Sequence, residues 1–214
     1  MKPKTILSVV LIALLATSCL VKSLHPFYKE KDVVYDPALT GIWLDSDSAK
    51  WVIEQSQVKK FLGESQPVNS YKITYFEKDG ASVFEAHLFK LKNQLYVDFI
   101  PSEVKIPEFA SYHFVPTHSI AKFDLTGGTI SLRWFNETWL AMLFENNKIK
   151  ISHETIKDEN GENTYVLTAS TEELQKFIMK YGNDPSAFKD NSDKSKPVDQ
   201  RDDLLCLTLK RADK

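Results

Sequence analysis

Residues 71–100 of the chain read YKITYFEKDGASVFEAHLFKLKNQLYVDFI. Apolar and polar side chains alternate over residues 71–75, which is the period of a half-buried β-strand. Two further strands are expected at about residues 82–91 and 94–100, with Asp79-Gly80 and Lys92-Asn93 in the turns between them. Connections this short join antiparallel neighbours, because a parallel pair needs a long crossover. The stretch therefore predicts an antiparallel meander.

The same strand-and-turn pattern continues beyond a proline-bounded loop at 101–107, and it predicts nine or ten strands in all. Asn136-Glu137 is one of the tight turns expected between them. Closure into a β-barrel removes the exposed edges of such a sheet, so a mainly β fold with a closed barrel is predicted. The later strands are expected at 112–115, 119–125, 129–135, 138–145, 148–154 and 165–169.

One α-helix is predicted in the C-terminal half, over residues 171–181. Ser170 and Glu173 form a capping box, and the apolar side chains of the segment recur on one face up to Gly182, which ends it. Residues 189–201 are almost free of apolar side chains and predict a mobile loop. Alternating leucines then predict a final strand over 204–209.

Composition limits the class of protein. The chain has 214 residues, 43% of them hydrophobic, which suits one domain with a sizeable core, placed here at residues 37–214. The formal net charge is −2, and no long run of Lys or Arg occurs, so a nucleic-acid partner is not expected.

The first residues have the order of a bacterial secretion signal. Lys2 and Lys4 precede an apolar run of eleven residues, Ile6 to Ala16, and small residues follow it. A transmembrane helix needs about 20 apolar residues, so cleavage is favoured over a permanent helical anchor. Residues 1–18 are therefore predicted to be a signal peptide.

The stretch Leu14-Leu15-Ala16-Thr17-Ser18-Cys19 resembles the lipobox of bacterial lipoproteins. The resemblance implies that Cys19 becomes the first mature residue, that it carries lipid, and that the membrane is a partner through this lipid. Residue 20 is Leu rather than the Asp typical of inner-membrane retention, which implies the outer membrane, facing the periplasm. Residues 19–36, with mixed charges and His25-Pro26, are predicted to be an extended tether.

A single turn at residues 36–40 followed by Gly41-Ile42-Trp43 resembles the opening of lipocalins and the wider calycin group, in which the Trp lies at the base of an up-and-down β-barrel. More broadly, HPFYKEKDVVYDPALTGIW and AHLFK resemble a family of uncharacterised bacterial lipoproteins. In lipocalins a basic residue often covers this Trp from the strand before the helix. Residues 164–169 contain none, so Arg133, Arg201 and Arg211 remain as arginines without an assigned role.

Short catalytic and metal-binding motifs are absent from the sequence. It contains no Gly-x-Ser-x-Gly elbow, His-Glu-x-x-His helix, Cys-x-x-Cys pair, Walker loop or EF-hand loop. His113 and His118 would point to opposite faces of an unbroken strand, and Pro116 interrupts the count. No catalytic residue, metal site or cofactor is predicted.

The candidate ligand-binding residues are Glu85, His87 and His153. Glu85 and His87 share a strand face with Phe89, and His153 shares one with Ile151. These polar groups are predicted to point inward among apolar neighbours, where they would form a polar patch in a ligand cavity. The alternative is that each is a buried residue with a local hydrogen bond.

Three hypotheses for function follow. The first is a lipid-anchored, lipocalin-like envelope protein whose barrel binds or carries a small apolar ligand. The second is an envelope interaction protein, either an accessory subunit or an inhibitor, whose barrel is filled by side chains and whose partner is a protein. The third, a hydrolase or isomerase using His87, Glu85 or His153, is disfavoured because the sequence pairs no nucleophile with a base. The size of the barrel interior distinguishes the first two.

Overall fold

In the computed structural model of the protein, the described residues are 20–59, 65–77, 80–157, 161, 163–188 and 206–212. The predicted signal peptide, Cys19, the 78–79 turn and the 189–201 loop lie outside them. The strands are β1 (Lys22–Ser23), β2 (Gly41–Leu44), β3 (Lys50–Lys59), β4 (Ser65–Glu77), β5 (Gly80–Leu91), β6 (Gln94–Ser102), β7 (Ser119–Thr126), β8 (Thr129–Trp134), β9 (His153–Lys157), β10 (Asn163–Leu167) and β11 (Cys206–Arg211). The helices are α1 (Glu108–Ser111), α2 (Glu137–Glu145) and α3 (Thr171–Tyr181).

Eight strands form a closed antiparallel barrel in the order β11-β2-β3-β4-β5-β6-β7-β8, and β8 pairs with β11 to complete the circle. This confirms the predicted fold class. The β5–β6 hairpin turns at Lys92 and Asn93, since Leu91 pairs with Gln94. The final strand inserts between the first and seventh barrel strands, so the chain ends by closing the sheet.

The barrel interior is apolar and rich in aromatic rings. Along β5, Ala86 and Leu88 point inward, and the residues that alternate with them, such as His87 and Phe89, point outward. The buried interior residues are Leu39, Trp43, Trp51, Ile53, Tyr71, Ile73, Ala86, Leu88, Val97, Phe99, Ala121, Phe123, Ile130, Leu132, Trp134 and Leu209.

A second core covers the outer face of β5, β6 and β7. A small sheet in the order β1-β10-β9 and the helices α2 and α3 provide the covering layer. Residues 171–181 form the predicted helix, with Ser170 and Glu173 making the capping box. The second core comprises Val21, Phe27, Phe89, Leu91, Tyr96, Ile120, Phe135, Trp139, Leu140, Ile151, Leu167, Ala169, Leu174, Phe177, Ile178, Ala187 and Phe188.

The strand predicted at 138–145 is wrong, because this segment is helix α2. Asn136, expected in a tight turn, is the N-cap, and its side chain accepts a hydrogen bond from the Trp139 backbone N–H. Trp139 and Leu140 are buried in the second core. The apolar residues of this run do not alternate with polar ones. A run of this length fits a buried strand as well as a buried helix, and only its packing in the second core distinguishes the two.

Two other predicted strands are wrong or displaced. Residues 112–115 are exposed and belong to the long β6–β7 connection, which contains only the one-turn helix α1. Of residues 148–154, only the last two are in β9. Ile151 is buried in the second core without strand pairing around it, so alternation here reflects contact with α3 rather than a sheet.

The extended tether predicted over 19–36 is also wrong for its described part, residues 20–36. Val21, Ser23 and Phe27 are buried, and β1 pairs in parallel with β10. The backbone N–H of Val34 donates to the carbonyl of Leu88. Prolines and mixed charges indicated a spacer, but the apolar side chains between them bind the segment to the outer barrel wall.

Arg211 covers Trp43, which assigns the role that the sequence left open. Its guanidinium lies 4.6 Å from the ring centroid and donates hydrogen bonds to the carbonyls of Ala38 and Thr40. The indole N–H of Trp43 donates to the Leu39 carbonyl at 2.8 Å. Gly41 has φ of 136°, and a Cβ there would lie 2.8 Å from the guanidinium, so glycine is required beside this contact.

Replacing Arg211 with Ala should lower the free energy of unfolding by about 1 kcal/mol, because an exposed cation–π contact and two carbonyl hydrogen bonds are lost. Urea denaturation followed by Trp fluorescence measures this. R211K keeps the charge but not the forked donor geometry and should lie between the wild type and R211A. An R211A midpoint equal to that of the wild type would contradict a stabilising role for this contact.

Candidate functional site

The barrel interior has almost no free space. Among the described residues, a void of about 30 Å³ lies between apolar side chains, including Leu88, Phe99 and Leu209. Aromatic pairs fill the barrel around it, with ring centroids 4.6 Å apart for Phe99 and Trp134 and 4.5 Å apart for Trp51 and Tyr75. This void compares with about 300–1,000 Å³ for typical ligand pockets.

Glu85 and His87 do not point into the barrel, so the predicted inward polar patch is wrong. Ala86 lines the interior void, and its neighbours along β5 therefore face the outer wall. Both faces of β5 are apolar because its outer face is also covered, so alternation alone did not identify the interior face. His153 lies on β9 in the small sheet, where its ring stacks on Phe144 at 3.7 Å and its Nδ1 bonds to the Ile151 carbonyl at 2.8 Å.

The structure does bring Glu85 and His87 together, and Tyr28 joins them. The Glu85 carboxylate lies 3.6 Å from Nε2 of His87. The Tyr28 ring stacks on the imidazole at 4.2 Å, and a 3.2 Å hydrogen bond joins its hydroxyl to Nε2. Nδ1 of His87 is buried and has no hydrogen-bond partner in the described part of the chain. Ser70 donates to Glu85 at 3.2 Å.

Burial sets the charge state of this group. It lowers the pKa of His87, although the negative charges of Glu85 and Asp98 act in the opposite direction. Burial also raises the pKa of Tyr28, and Asp98 adds to that effect. His87 and Tyr28 are therefore neutral at pH 7, and their stacked rings fasten the N-terminal segment to β5.

Asp98 is the buried charge that the sequence analysis missed. Its carboxylate is fully buried on the outer face of β6 and accepts hydrogen bonds from Nδ1 of His118 at 2.7 Å and from the backbone N–H of Phe27 at 2.8 Å. The signal was present, since Asp98 is the one charged residue in the run YVDFI at 96–100. An Asp–His pair also orients a general base in hydrolases. Here both carboxylate oxygens hold structural partners, and the nearby Ser23 hydroxyl donates to the His25 carbonyl.

A lysine-rich face surrounds α3. One groove of about 300 Å³ lies between this helix and residues 148–151, and a second of about 340 Å³ lies between the helix and the β5–β6 turn. Lys176 lines both grooves. Only three acidic side chains line them, Asp32, Glu172 and Glu173, and Glu172 already pairs with Lys29 at 2.7 Å. The lysines of this face are Lys29, Lys31, Lys90, Lys92, Lys148, Lys150, Lys176 and Lys180.

Other classes of site are not found in the described ranges. These residues contain no cluster of three His, Cys, Asp or Glu side chains suited to a metal ion. They also contain no helix long and apolar enough to cross a bilayer. No protein-family model, curated protein or solved structure matches the chain.

Replacing Asp98 with Ala should lower the free energy of unfolding by about 3 kcal/mol, because the His118 imidazole and the Phe27 N–H lose their buried acceptor. Asp98→Asn keeps one acceptor oxygen and should cost less. Chemical denaturation measures both.

The matched control is Asp124→Ala. Asp124 pairs with Arg133 at 2.5 Å, but its side chain is 46% exposed, so its removal should cost less than about 1 kcal/mol. Equal losses in the free energy of unfolding for the two alanine variants would show that the buried Asp98 contacts stabilise the fold no more than the exposed Asp124 pair does.

Proposed function

We propose that this protein is a lipid-anchored bacterial envelope protein that works by binding another protein, as an accessory subunit or an inhibitor. Its barrel serves as a rigid, side-chain-filled scaffold. The observation that carries the proposal is the interior void of only about 30 Å³. Such a space holds about one water molecule, so the barrel has no room for a small apolar ligand.

Binding of an apolar ligand inside the barrel is disfavoured on energetic grounds as well. A ligand would have to displace rings such as Phe99 and Trp134, which already bury their surfaces against each other. Interiors packed at this density resist added volume, and overpacking costs about 1–3 kcal/mol even for a few methylene groups. The lipocalin-like barrel architecture thus supports a scaffold better than a carrier.

The proposed location in the cell envelope depends on the N-terminal sequence. Basic residues, a short apolar run and Cys19 in a lipobox-like setting support export and acylation. Two or more acyl chains hold a protein on a membrane far more firmly than one. Leu20 at the second mature position supports the outer membrane, with the barrel in the periplasm.

The lysine-rich face is the best candidate for the partner surface. The predicted mature chain keeps 25 basic and 29 acidic residues, because removal of residues 1–18 takes away Lys2 and Lys4 and no acid. Yet eight lysines and three acidic residues line the two grooves around α3. Charge separated in this way on an acidic protein favours a partner with an acidic surface.

Native mass spectrometry of the protein extracted from membranes in mild detergent tests the anchor and the filled barrel together. The expected mass is that of residues 19–214 plus covalent lipid, with no small molecule lost on denaturation. A stoichiometric apolar molecule released on denaturation would overturn the filled-scaffold proposal. Cys19→Ser is the matched control, and it should lose the lipid mass and leave the membrane fraction; unchanged membrane retention would contradict lipidation.

Photo-cross-linking tests the lysine-rich face. A benzoylphenylalanine at Met179, which lines one groove and is exposed, should give a discrete protein adduct in the native envelope. The same group at exposed Val58, on the β3–β4 hairpin, should give none. Charge reversal at Lys148, Lys150 and Lys180 should reduce the adduct by about tenfold or more, since like charges then face each other. An adduct insensitive to these changes would show that these lysines do not contribute to binding the partner.

A further inference from the structure

The β6–β7 connection, residues 103–118, exposes an unusual number of large apolar side chains. Phe109 is 78% exposed, Tyr112 is 74% exposed and Val115 is 67% exposed, and Val104 and Phe114 are exposed as well. Five of the thirteen large apolar side chains exposed in the described residues fall within residues 104–115 of this connection. Clusters of this kind mark contact with a protein or a membrane, whereas single exposed apolar residues need no explanation.

This connection lies at the barrel end where the described chain begins. The backbones of Ser23 and His118 exchange two hydrogen bonds, of 2.9 and 2.8 Å. Leu20 forms a bridge with Asn136, directly after β8, which ends on the same side of the barrel as β6. Cys19 directly precedes Leu20 in the sequence.

The docked segment leaves almost no spacer between the acylation site and the barrel. Leu20 is bridged to Asn136 just after β8, Ser23 is bridged to His118 just before β7, and β1 pairs with β10. Acyl chains on Cys19 would therefore enter the bilayer beside this barrel end. The bilayer surface would then lie at the barrel end that carries the exposed loop.

We propose that the β6–β7 loop inserts Phe109, Tyr112 and Val115 into the bilayer interface next to the lipid on Cys19. This inference rests on the acylation in the proposed function. The Tyr112 ring is suited to this depth, since it combines a large apolar body with a polar hydroxyl, and Phe109 and Val115 add apolar surface. The loop carries both signs of charge, with Glu103 paired to Lys72 at 2.6 Å, so the contact is apolar rather than electrostatic.

Loop insertion would also orient the protein. β6 begins at the opposite end of the barrel from the loop, and the β5–β6 turn with Lys92 lies there, beside the C-terminal part of α3. Two contacts with the bilayer, the lipid and the loop, hold that end of the lysine-rich face away from the membrane. A single flexible lipid tether would not hold that end away from the membrane.

Fluorescence quenching in vesicles tests the inference. The full, acylated protein carrying Cys206→Ala and Phe109→Cys is labelled with NBD and reconstituted into phosphatidylethanolamine–phosphatidylglycerol vesicles with or without doxyl-labelled lipid. The doxyl lipid should quench the label by about half or more, because interfacial side chains lie about 5–10 Å into the headgroup region. The matched control is Val58→Cys in the same background. Val58 is exposed at the opposite barrel end, so a label there should show no quenching.

The outcomes separate the inference from the proposed function. Vesicle flotation with an unquenched label at position 109 would leave the anchor intact and overturn loop insertion. Failure to float, together with a mass lacking lipid, would overturn the anchor itself. A photo-cross-linker at position 109 that captures a protein in the native envelope, together with an unquenched label in vesicles, would assign the loop to a protein partner and contradict the membrane contact.

Discussion

The buried Asp98 carboxylate holds three distant parts of the chain at one point. It stands on β6, accepts a hydrogen bond from His118 just before β7, and accepts another from the backbone of Phe27. A fully buried carboxylate is costly unless its oxygens are paired, so the N-terminal segment must close over it for the barrel wall to be stable. Tyr28, stacked on His87, extends the same attachment to β5.

Closure of that segment explains why β5–β7 are apolar on both faces. Phe99 and Phe123 fill the barrel, whereas Phe89 and Ile120 belong to the core outside it. The wall is therefore the middle layer of three, and packing on both sides leaves little freedom for the interior to open. Function is accordingly expected at outer surfaces and loops, which the scaffold positions but does not bury.

Local sequence signals predicted the barrel meander, the α3 capping box and the β5–β6 turn, because each depends on contacts within a few residues. The errors occurred where distant packing decides the structure. The apolar run of helix α2 fits a strand as well as a helix, and the alternation around Glu85 and His87 does not distinguish the two faces of β5, because each face carries buried apolar residues. Arg211 reaches Trp43 from the far end of the chain, a contact that no local pattern encodes.

The docked N-terminal segment changes what a lipid anchor on Cys19 would do. A long tether would let the barrel rotate freely, so that no surface would have a fixed relation to the membrane. With Leu20 bridged to Asn136, a lipid on Cys19 would instead leave from one defined edge of the barrel. The exposed aromatic residues of the β6–β7 loop lie at that end, and the β5–β6 turn, with its part of the lysine-rich face, lies at the other. An acidic partner would then meet those lysines beyond the bilayer, where anionic headgroups do not compete for them.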